Sequence, residues 1–426
     1  MWKSSTLIGS WTSSTGMGCR GRLPISKAGF QNKAITMSDL FQSYSRAFPK
    51  GVVDKVETPC FIISEQLIRM NLERLLRVKK RTNSKILLAL KAFAAYSTFP
   101  LISKYLDGVC ASGTFEARLG REEFGKEVHT YSPAYSKKDI EDVIKYSDVI
   151  IFNSVGQWKE YRERIRRSGR RIQVGLRVNP GLNSSLKIDK YNPTLPGSRL
   201  GISKEELEGE DLSGIDGLHF HALCEQNSTE LAPVLRSFER SYGKYIRQMK
   251  WVNFGGGHHI TRKDYDRELL IRLINSFKSR YGVEVHLEPG EAVVLNAGVL
   301  VSSVLDVKRG SPNIAILDTS AEAHMPDVLA APYRPKIIGA GMPGELGYTY
   351  RLGGMTCLAG DVIGDYSFAQ KLVPGQRIVF LDMAHYSMVK TTTFNGIKLP
   401  DIAVHRLNGK LEIVKKFGYS DYKSRL

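Results

Sequence analysis

Three features are scarce in this chain of 426 residues: long apolar runs, paired cysteines and, near its start, acidic side chains. No apolar run approaches the roughly 20 residues that a helix needs to cross a bilayer, so we expect a soluble protein that does not enter a membrane. The five cysteines are scattered and include no CxxC pair, which argues against a disulfide framework or a structural metal site. This cysteine usage favours a reducing compartment, and we expect the protein in the cytoplasm.

The first 38 residues contain no aspartate or glutamate but many serine, threonine, glycine and basic residues. This composition is typical of an organelle transit peptide. The alternative is an upstream extension with Met37 as the working start, because the segment after it resembles an ordinary N-terminus. We therefore exclude residues 1–36 from the fold, as a disordered extension or a targeting segment.

Acidic residues are also outnumbered overall, and the formal net charge is +18 at pH 7. A basic balance of this size raises the question of nucleic-acid binding. The basic residues, however, are mixed with acids in helix-like segments such as EYRERIRRSGRR (160–171), and they form no patch interleaved with aromatic residues. We interpret these segments as solvated helix faces and expect no nucleic-acid partner.

From about residue 80 to residue 295, short apolar segments alternate with amphipathic helix patterns. The apolar segments are rich in Val, Ile and Leu, which is typical of strands buried on both faces. They are KILLALKA (85–92), GVCAS (108–112), VHTYSPA (128–134), VIIFN (149–153), VGLRVN (174–179), GLHFHAL (217–223), WVNFGGG (251–257) and VEVHLEPG (283–290). These strand and helix units predict an α/β fold, a (β/α)8 TIM barrel, with a doubly wound open sheet as the alternative.

Beyond about residue 295 the pattern changes to strands separated by Gly- and Pro-containing turns, with few helix signals. This pattern predicts an all-β domain, a β-barrel or a sandwich. The segment ETPCFIIS (57–64) is also strand-like, and we expect it to pair with that domain. The predicted organisation is therefore an N-terminal segment at 37–75 that joins the β domain, a barrel at 76–300 and a C-terminal β domain at 301–426.

Unusual polar residues fall at the predicted carboxyl ends of the barrel strands, where a barrel of this type carries its chemistry. Lys91 follows the run KILLAL. A lysine at the end of a buried strand either extends to solvent or is used covalently, as a Schiff base with a carbonyl compound. Three glycines follow WVNF; they suit the close approach of a phosphate, but also an ordinary flexible turn.

Two further strand ends carry an acid and an imidazole. Glu288 could hold a proton on a heteroaromatic nitrogen, or it could form a salt bridge within the barrel. His221 could stack on a flat ring, or it could be a hydrogen-bonded core histidine. Taken together, a Schiff-base lysine, a phosphate cradle, a carboxylate and a flat aromatic neighbour specify pyridoxal 5′-phosphate.

From about residue 55 to the C-terminus, the chain resembles the alanine-racemase-type (fold type III) pyridoxal-phosphate enzymes, the family of ornithine and diaminopimelate decarboxylases. The motifs that carry the resemblance are TPCFI, ALKAF, GLHFHALCEQNS, NFGGGHHIT, LEPGEA, GGMTCLAGDVIGDY and MAHYSMVKTTTFNG. Within the family, the chain is similar to members that decarboxylate carboxynorspermidine and carboxyspermidine in polyamine biosynthesis. Two alternatives stay open: a decarboxylase or racemase of the same fold that acts on diaminopimelate or a basic amino acid, and a non-catalytic pyridoxal-binding regulator.

The resemblance also implies roles for individual residues. The cofactor-binding residues that it implies are Lys91 as the pyridoxal lysine, His221 on the ring, Glu288 at the ring nitrogen, Gly255, Gly256, Gly257 and Tyr386 at the phosphate, and Arg199 near the cofactor. Cys357 matches a cysteine that a partner subunit contributes to the active site, where it helps to protonate the decarboxylated intermediate. A homodimer with shared active sites is therefore expected, with Lys91, Cys357, Glu288 and His221 as its catalytic residues.

One departure from the family pattern concerns the substrate. Diaminopimelate decarboxylases carry EPGR, and this chain has Glu291 in place of that arginine; Glu225 similarly appears where relatives carry HIGSQ. Negative charges at these positions suit a substrate with several ammonium groups. The predicted substrate-binding residues are Glu225, Glu291, Asp327, Asp361 and Asp365, and no metal site is predicted.

Overall fold

The structure is a computed structural model that describes residues 44–181 and 189–426. The predicted extension or targeting segment, residues 1–36, lies outside the described residues. The strands are β1 (Cys60–Ser64), β2 (Lys85–Ala89), β3 (Gly108–Ala111), β4 (Glu127–Tyr131), β5 (Val149–Phe152), β6 (Gln173–Arg177), β7 (Gly217–His219), β8 (Trp251–Asn253), β9 (Glu284–Leu287), β10 (Gly298–Lys308), β11 (Asn313–Leu317), β12 (Ala340–Gly341), β13 (Tyr348–Gly353), β14 (Val362–Phe368), β15 (Arg377–Leu381), β16 (Asp401–His405) and β17 (Leu411–Lys415).

Residues 44–47 are helical, and the α-helices that follow cover the outside of the barrel or connect sheet strands. They are α1 (Lys50–Val53), α2 (Glu65–Thr82), α3 (Phe99–Ile102), α4 (Thr114–Leu119), α5 (Lys137–Tyr146), α6 (Val155–Arg167), α7 (Lys204–Leu207), α8 (Ser228–Ile246), α9 (Arg267–Tyr281), α10 (Glu291–Val294), α11 (Ala321–His324), α12 (Asp327–Ala330) and α13 (Tyr419–Lys423). Within the described residues, no helix has the length and apolar character that crossing a membrane requires.

Strands β2 to β9 form a closed barrel in chain order, and every neighbouring pair is parallel. This confirms the predicted (β/α)8 barrel. The side chains of these strands are almost all buried, because helices cover the outer face and side chains fill the interior. All eight carboxyl ends therefore meet at one face, which we call the barrel mouth.

A mostly antiparallel nine-stranded sheet forms the second part of the fold. Its long strand β10 pairs with β1, β11 and β15, and β1 pairs in parallel with β16. The strand that precedes the barrel in sequence therefore lies in the middle of the sheet. This arrangement holds the sheet next to the barrel, because β1 leads directly into the barrel helix α2.

Helix α2 shows how local sequence positions the first barrel strand. The Ser64 side chain accepts a hydrogen bond from the Leu67 N–H and caps the helix, and Glu65 lies in its first turn. The helix ends at Thr82, and the following residue, Asn83, adopts the left-handed conformation at φ 47°. β2 begins two residues later, at Lys85.

Several barrel strands end earlier than the sequence predicts. β2 ends at Ala89 instead of residue 92, β7 at His219 instead of residue 223, and β8 at Asn253 instead of residue 257. The physical reason at β8 is the glycine run, because Gly255 adopts φ +69° and leaves the extended conformation. The predicted strand-end residues therefore lie in the loops of the barrel mouth.

Candidate active site

Lys91 lies at the barrel mouth, two residues beyond the end of β2 at Ala89. The peptide after it is tied to the loop beyond β15, because the Tyr386 N–H donates to the Ala92 carbonyl at 2.8 Å. The Lys91 side chain is exposed, so the chain itself does not desolvate its amine. Its charge nevertheless favours the ionised form of Glu288, which places the two groups at the same mouth.

Glu288 is a buried carboxylate that follows β9, and the two neighbouring strands supply its partners. The Asn253 amide at the end of β8 donates to its Oε1 at 2.7 Å. The His219 imidazole at the end of β7 places Nε2 3.5 Å from its Oε2. Burial works against the charged form, but the hydrogen bonds offered by His219 and Asn253 and the charge of Lys91 outweigh it and lower the pKa of Glu288. The ionised carboxylate suits a protonated nitrogen of a heteroaromatic ring.

His221 lies two residues beyond β7, and the backbone holds its ring. The Gly256 N–H donates to Nδ1 at 3.0 Å, which leaves the proton of a neutral imidazole on Nε2. Burial, followed by the charges of Lys91 and Arg177, lowers the pKa of His221 well below its usual value. The ring is therefore neutral at physiological pH and presents a flat, uncharged surface.

The three glycines after β8 pack closely against neighbouring strand ends. A Cβ at Gly256 would lie 2.2 Å from the Glu288 carbonyl oxygen. One at Gly257 would lie 1.8 Å from the Leu223 carbonyl oxygen. Gly255 and Gly257 also adopt positive φ, at +69° and +82°. Loop packing by itself thus explains these glycines, and their contact with a phosphate stays a prediction.

Three residues of this site are not among the predicted ones: Arg177, His219 and Asn253, which end β6, β7 and β8. The buried Arg177 guanidinium lies 4.6 Å from the Tyr131 ring centroid and donates to the His221 carbonyl at 3.3 Å. The sequence could have indicated all three, because each is a polar residue that ends an apolar strand segment. The rule that selected the other strand-end residues applies to them equally.

Tyr386 brings the loop beyond β15 to the barrel mouth. Its backbone has φ +48°, and its N–H is bonded to the Lys91 loop at Ala92. The Lys390 ammonium lies 5.0 Å from the centroid of its ring. Burial, and then the charge of Glu291, raises the pKa of Tyr386. The phenol therefore stays protonated and can donate a hydrogen bond, as its predicted phosphate contact requires.

The carboxylates near this tyrosine belong to what we call the acidic cluster, which consists of Glu225, Glu291 and Asp327, together with Asp382 beside His385. The charges of Glu291, Glu225 and Asp327 all act on Tyr386. Asp382 joins them through the imidazole of His385, whose Nε2 lies 3.3 Å from Asp382 Oδ1 and whose Nδ1 lies 3.5 Å from Glu291 Oε1. Three of the predicted substrate-binding acids are thus brought together, and Asp382 is an addition.

Histidines hold part of this cluster. Burial works against the charged form of His385, but Asp382 and Glu291 outweigh it and raise its pKa to about 9. Glu291 also has His259 Nε2 at 3.0 Å from its Oε2. Although burial opposes ionisation, His385 and His259 lower the pKa of Glu291. Glu291 is therefore ionised and is already paired with imidazoles.

The other two predicted acids of the cluster differ in how they are paired. Asp327 accepts two hydrogen bonds from Lys390 Nζ, at 2.8 and 2.6 Å. Glu225 takes part in no salt bridge among the described residues, and it has φ +53°. Partial burial, and then the charge of Glu291, raises its pKa. A nearby ligand cation would relieve both effects, so Glu225 is the member best placed to accept one.

Asp361 and Asp365 make their contacts elsewhere. Asp361 is buried and accepts hydrogen bonds from the Ser320 hydroxyl, the Ala321 N–H and both the N–H and the hydroxyl of Thr356, at 2.7–3.2 Å. Asp365 forms a two-bond salt bridge with Arg351 of the neighbouring strand, at 2.8 and 2.9 Å. These contacts favour a structural role for Asp361, and the predicted contact of both acids with substrate stays a prediction.

Cys357 and Arg199 are both exposed. The Cys357 N–H donates to Asn395 Oδ1 at 2.8 Å, and no contact among the described residues joins its thiol to the Lys91 loop. The charge of Arg199 acts on the buried Arg177, which places it at the rim of the mouth. Arg177, not Arg199, is the guanidinium that contacts the His221 backbone.

Comparison with known proteins shows which family the chain resembles. A family model described as pyridoxal-dependent decarboxylase, C-terminal sheet domain, matches residues 41–384. The carboxynorspermidine/carboxyspermidine decarboxylase of Campylobacter jejuni is 44% identical and spans 87% of this chain and 99% of its own length. The carboxyaminopropylagmatine decarboxylase of Synechocystis is 43% identical and spans 88% of this chain and 96% of its own.

A solved structure extends the comparison to three dimensions. The crystal structure of carboxynorspermidine decarboxylase from Campylobacter jejuni, complexed with norspermidine, has a TM-score of 0.81 and 43% identity, over 87% of this chain and 100% of that chain. A diaminopimelate decarboxylase structure from Helicobacter pylori, at 16% identity and a TM-score of 0.75, shows the same fold. These matches confirm the family resemblance that the motifs indicate. The chain belongs to the pyridoxal-dependent decarboxylases.

Proposed function

We propose that this protein decarboxylates carboxynorspermidine and carboxyspermidine, with bound pyridoxal 5′-phosphate, to form norspermidine and spermidine in polyamine biosynthesis. The observation that carries the proposal is the acidic cluster at the barrel mouth. Diaminopimelate decarboxylases carry an arginine where this chain has Glu291, and an arginine there would repel a polyamine. The relatives that share most of this chain's length and over 40% of its residues act on carboxylated polyamines, as their names state.

The residues at the mouth fit the cofactor. The buried, ionised Glu288 is paired with neutral or amide donors, so its charge is available to a protonated ring nitrogen. His221 offers a neutral ring whose orientation the backbone fixes, and Lys91 offers an exposed amine on a loop fastened at both ends. Lys91 would hold the cofactor covalently, His221 would face its ring, and Tyr386 with the glycine loop would hold its phosphate.

The bound cofactor supplies an electron sink that accepts the bonding electrons of the carbon–carboxylate bond. The chain's own part is to hold the substrate so that this bond is the one broken. Glu225 would pair with an ammonium group of the polyamine, and Glu291 would contribute negative charge behind it. The histidines on Glu291 fix its position, so the acidic cluster is already arranged before substrate binds.

The carbon that loses carbon dioxide must take up a proton. We propose that Cys357 of a second copy delivers it, within a homodimer that shares its active sites. The exposed Cys357 lies between the exposed apolar side chains of Met355 and Leu358, and Phe394 near its bonding partner Asn395 is also exposed. Apolar exposure of this kind suits a surface that another copy covers.

The substrate experiment measures carbon dioxide release by purified protein with pyridoxal 5′-phosphate. The four compounds are carboxynorspermidine, carboxyspermidine, carboxyaminopropylagmatine and diaminopimelate. We expect kcat/KM for the first two to exceed that for diaminopimelate by at least about 100-fold. Diaminopimelate has fewer ammonium groups and would leave carboxylates of the acidic cluster unpaired. Carboxyaminopropylagmatine is included because the Synechocystis relative acts on it and is as similar to this chain. Faster turnover of diaminopimelate than of both carboxylated polyamines would overturn the proposal.

The cofactor and dimer parts have separate tests. Lys91→Ala should lose the absorbance band of bound cofactor, whereas Lys104→Ala, an exposed lysine outside the mouth, should keep it. Mixing inactive Lys91→Ala with inactive Cys357→Ala should restore about a quarter of the wild-type rate, because half of randomly exchanged dimers would contain one intact site. Absence of any recovery from mixed, exchanged subunits would contradict the shared site.

A further inference from the structure

We propose that His219 is a positioning residue, which fixes the Glu288 carboxylate for the ring nitrogen of the cofactor. The inference rests on the proposed function, because it gives Glu288 the ring-nitrogen role assigned there. His219 itself lies behind Glu288, 2% exposed, and is not a group that would touch substrate. Any effect of His219 on the reaction would therefore be transmitted through Oε2 of Glu288.

The strand register brings His219 level with another partner of Glu288. His219 and Asn253 are paired positions on β7 and β8, so they reach the same level of the barrel. The Asn253 amide has a fixed orientation, because its Oδ1 accepts from the Gly255 N–H at 2.8 Å while its Nδ2 donates to Glu288 Oε1 at 2.7 Å. Asn253 thus secures one carboxylate oxygen. The other oxygen, Oε2, faces His219, and the Cys110 thiol also interacts with the carboxylate.

The Tyr131 ring packs behind the His219 imidazole and restricts its movement. The Tyr131 ring meets the His219 ring edge to face, with centroids 5.6 Å apart. Tyr131 is itself held, because its hydroxyl donates to Asn153 Oδ1 at 2.8 Å and the Arg177 guanidinium lies 4.6 Å from its centroid. His219 therefore has little room to move away from Glu288. Its position is imposed by packing, which is how a supporting side chain holds a functional one.

The hydrogen bonding and the charge of the His219 ring also suit this role. His219 Nε2 lies 3.5 Å from Glu288 Oε2, at the outer limit of a hydrogen bond. Within the part of the chain that the structure describes, neither ring nitrogen completes a hydrogen bond, so the contact with Oε2 can shorten without breaking another. Burial, despite the opposing charge of Glu288, lowers the pKa of His219. A neutral imidazole restrains the carboxylate without cancelling its charge, which leaves that charge for the cofactor.

The experiment compares His219→Gln with His219→Met in the holoenzyme. Glutamine carries an amide nitrogen at about the reach of Nε2, whereas methionine fills the space without a donor. The matched controls are His129→Gln and His129→Met, at a histidine equally buried in the barrel interior that contacts Glu127 instead of Glu288. The readouts are kcat, KM and the absorbance spectrum of bound cofactor, which reports on the ring independently of turnover.

We expect His219→Met to lower kcat by about 10- to 100-fold with KM changed less than about threefold, as for other residues that orient a functional group. We also expect a shifted cofactor absorbance, and recovery of both readouts in His219→Gln to within about threefold of wild type. A His219→Met enzyme with wild-type kcat and spectrum would overturn the proposal. So would a His219→Gln enzyme as impaired as His219→Met, or His129 variants with the same spectral shift, since either result indicates barrel packing alone. If the wild-type protein binds cofactor but releases no carbon dioxide, the proposed function fails, while the spectral comparison still decides the role of His219.

Discussion

Asp361 and Asp365 lie four residues apart, and both are predicted substrate-binding acids. Their surroundings nevertheless predict very different effects of mutation on the stability of the fold. Asp361 is 5% exposed, and its two oxygens accept from five donors at 2.7–3.3 Å. Asp365 pairs with a half-exposed Arg351 across two neighbouring strands. We therefore expect Asp361→Asn to destabilise the fold strongly and Asp365→Asn to leave it nearly unchanged.

The magnitude follows from the contacts that asparagine can keep. Its amide oxygen can still accept from the Ala321 N–H, and the Ser320 and Thr356 hydroxyls can rotate to accept from its NH2 group. The Thr356 N–H cannot rotate, so it loses a charged acceptor and faces another donor. Hydrogen bonds to charged groups contribute about 1.5–3 kcal/mol, so we expect Asp361→Asn to cost about 3 kcal/mol. The exposed pair at Asp365 is worth about 0.2–1 kcal/mol.

Urea unfolding of the two variants, at one fixed protein and cofactor concentration, measures this difference. KM for carboxynorspermidine is measured on the same samples. If Asp361 holds the loop together, the midpoint falls while KM at low temperature stays within about threefold of wild type. An Asp361→Asn protein with wild-type stability and a tenfold higher KM would refute this reasoning and restore Asp361 as a substrate ligand.

Two other predictions concern the barrel mouth and its histidines. Gly256→Ala should force the β8 loop away from Glu288, because the new Cβ would lie 2.2 Å from the Glu288 carbonyl oxygen. We expect a loss of about 1–3 kcal/mol in the free energy of urea unfolding and weaker cofactor absorbance. Gly51→Ala, with open space around the new Cβ, should change neither. His385 has its pKa raised from 6.5 to about 9, so its stabilising contribution is complete below pH 6.5 and is lost as the pH rises through 9. Unfolding between pH 6 and pH 9.5 should show a decline on the order of 2–3 kcal/mol that His385→Asn lacks, and an equal decline in both proteins would argue against the assignment.

Architecture could be predicted from the sequence because buried parallel strands are apolar runs with helix patterns between them. Each of the eight predicted segments overlaps a barrel strand of the structure. The ends were predicted less well, since an apolar pattern does not show where φ turns positive, as it does at Gly255. The consequence for function is small, because Lys91, His221 and Glu288 remain at the carboxyl ends in either case.

The environment of each acid could not be predicted in this way. Asp361 and Asp365 stand in one motif, and only tertiary contacts show that Ser320, 41 residues away, binds the first. Glu291 looks like a free carboxylate in sequence, but His259 and His385 reach it from other loops. Residue type and strand position therefore identify the mouth of the barrel, whereas the state of each charge depends on partners that the chain brings from elsewhere.

The same distinction resolves the apparent conflict between a protein of net charge +18 and a polycationic ligand. Basic residues such as Arg164 and Arg166 lie on exposed helix faces, where they pair with local acids. Charges in solvent are screened over about 8 Å at physiological ionic strength, so distant lysines and arginines contribute little at the mouth. We expect a ligand entering there to respond to the acidic cluster, and in particular to Glu225, whose pKa is raised by burial and then by the charge of Glu291. Net charge describes the surface of this chain, and we expect the substrate to be selected by a local charge of the opposite sign.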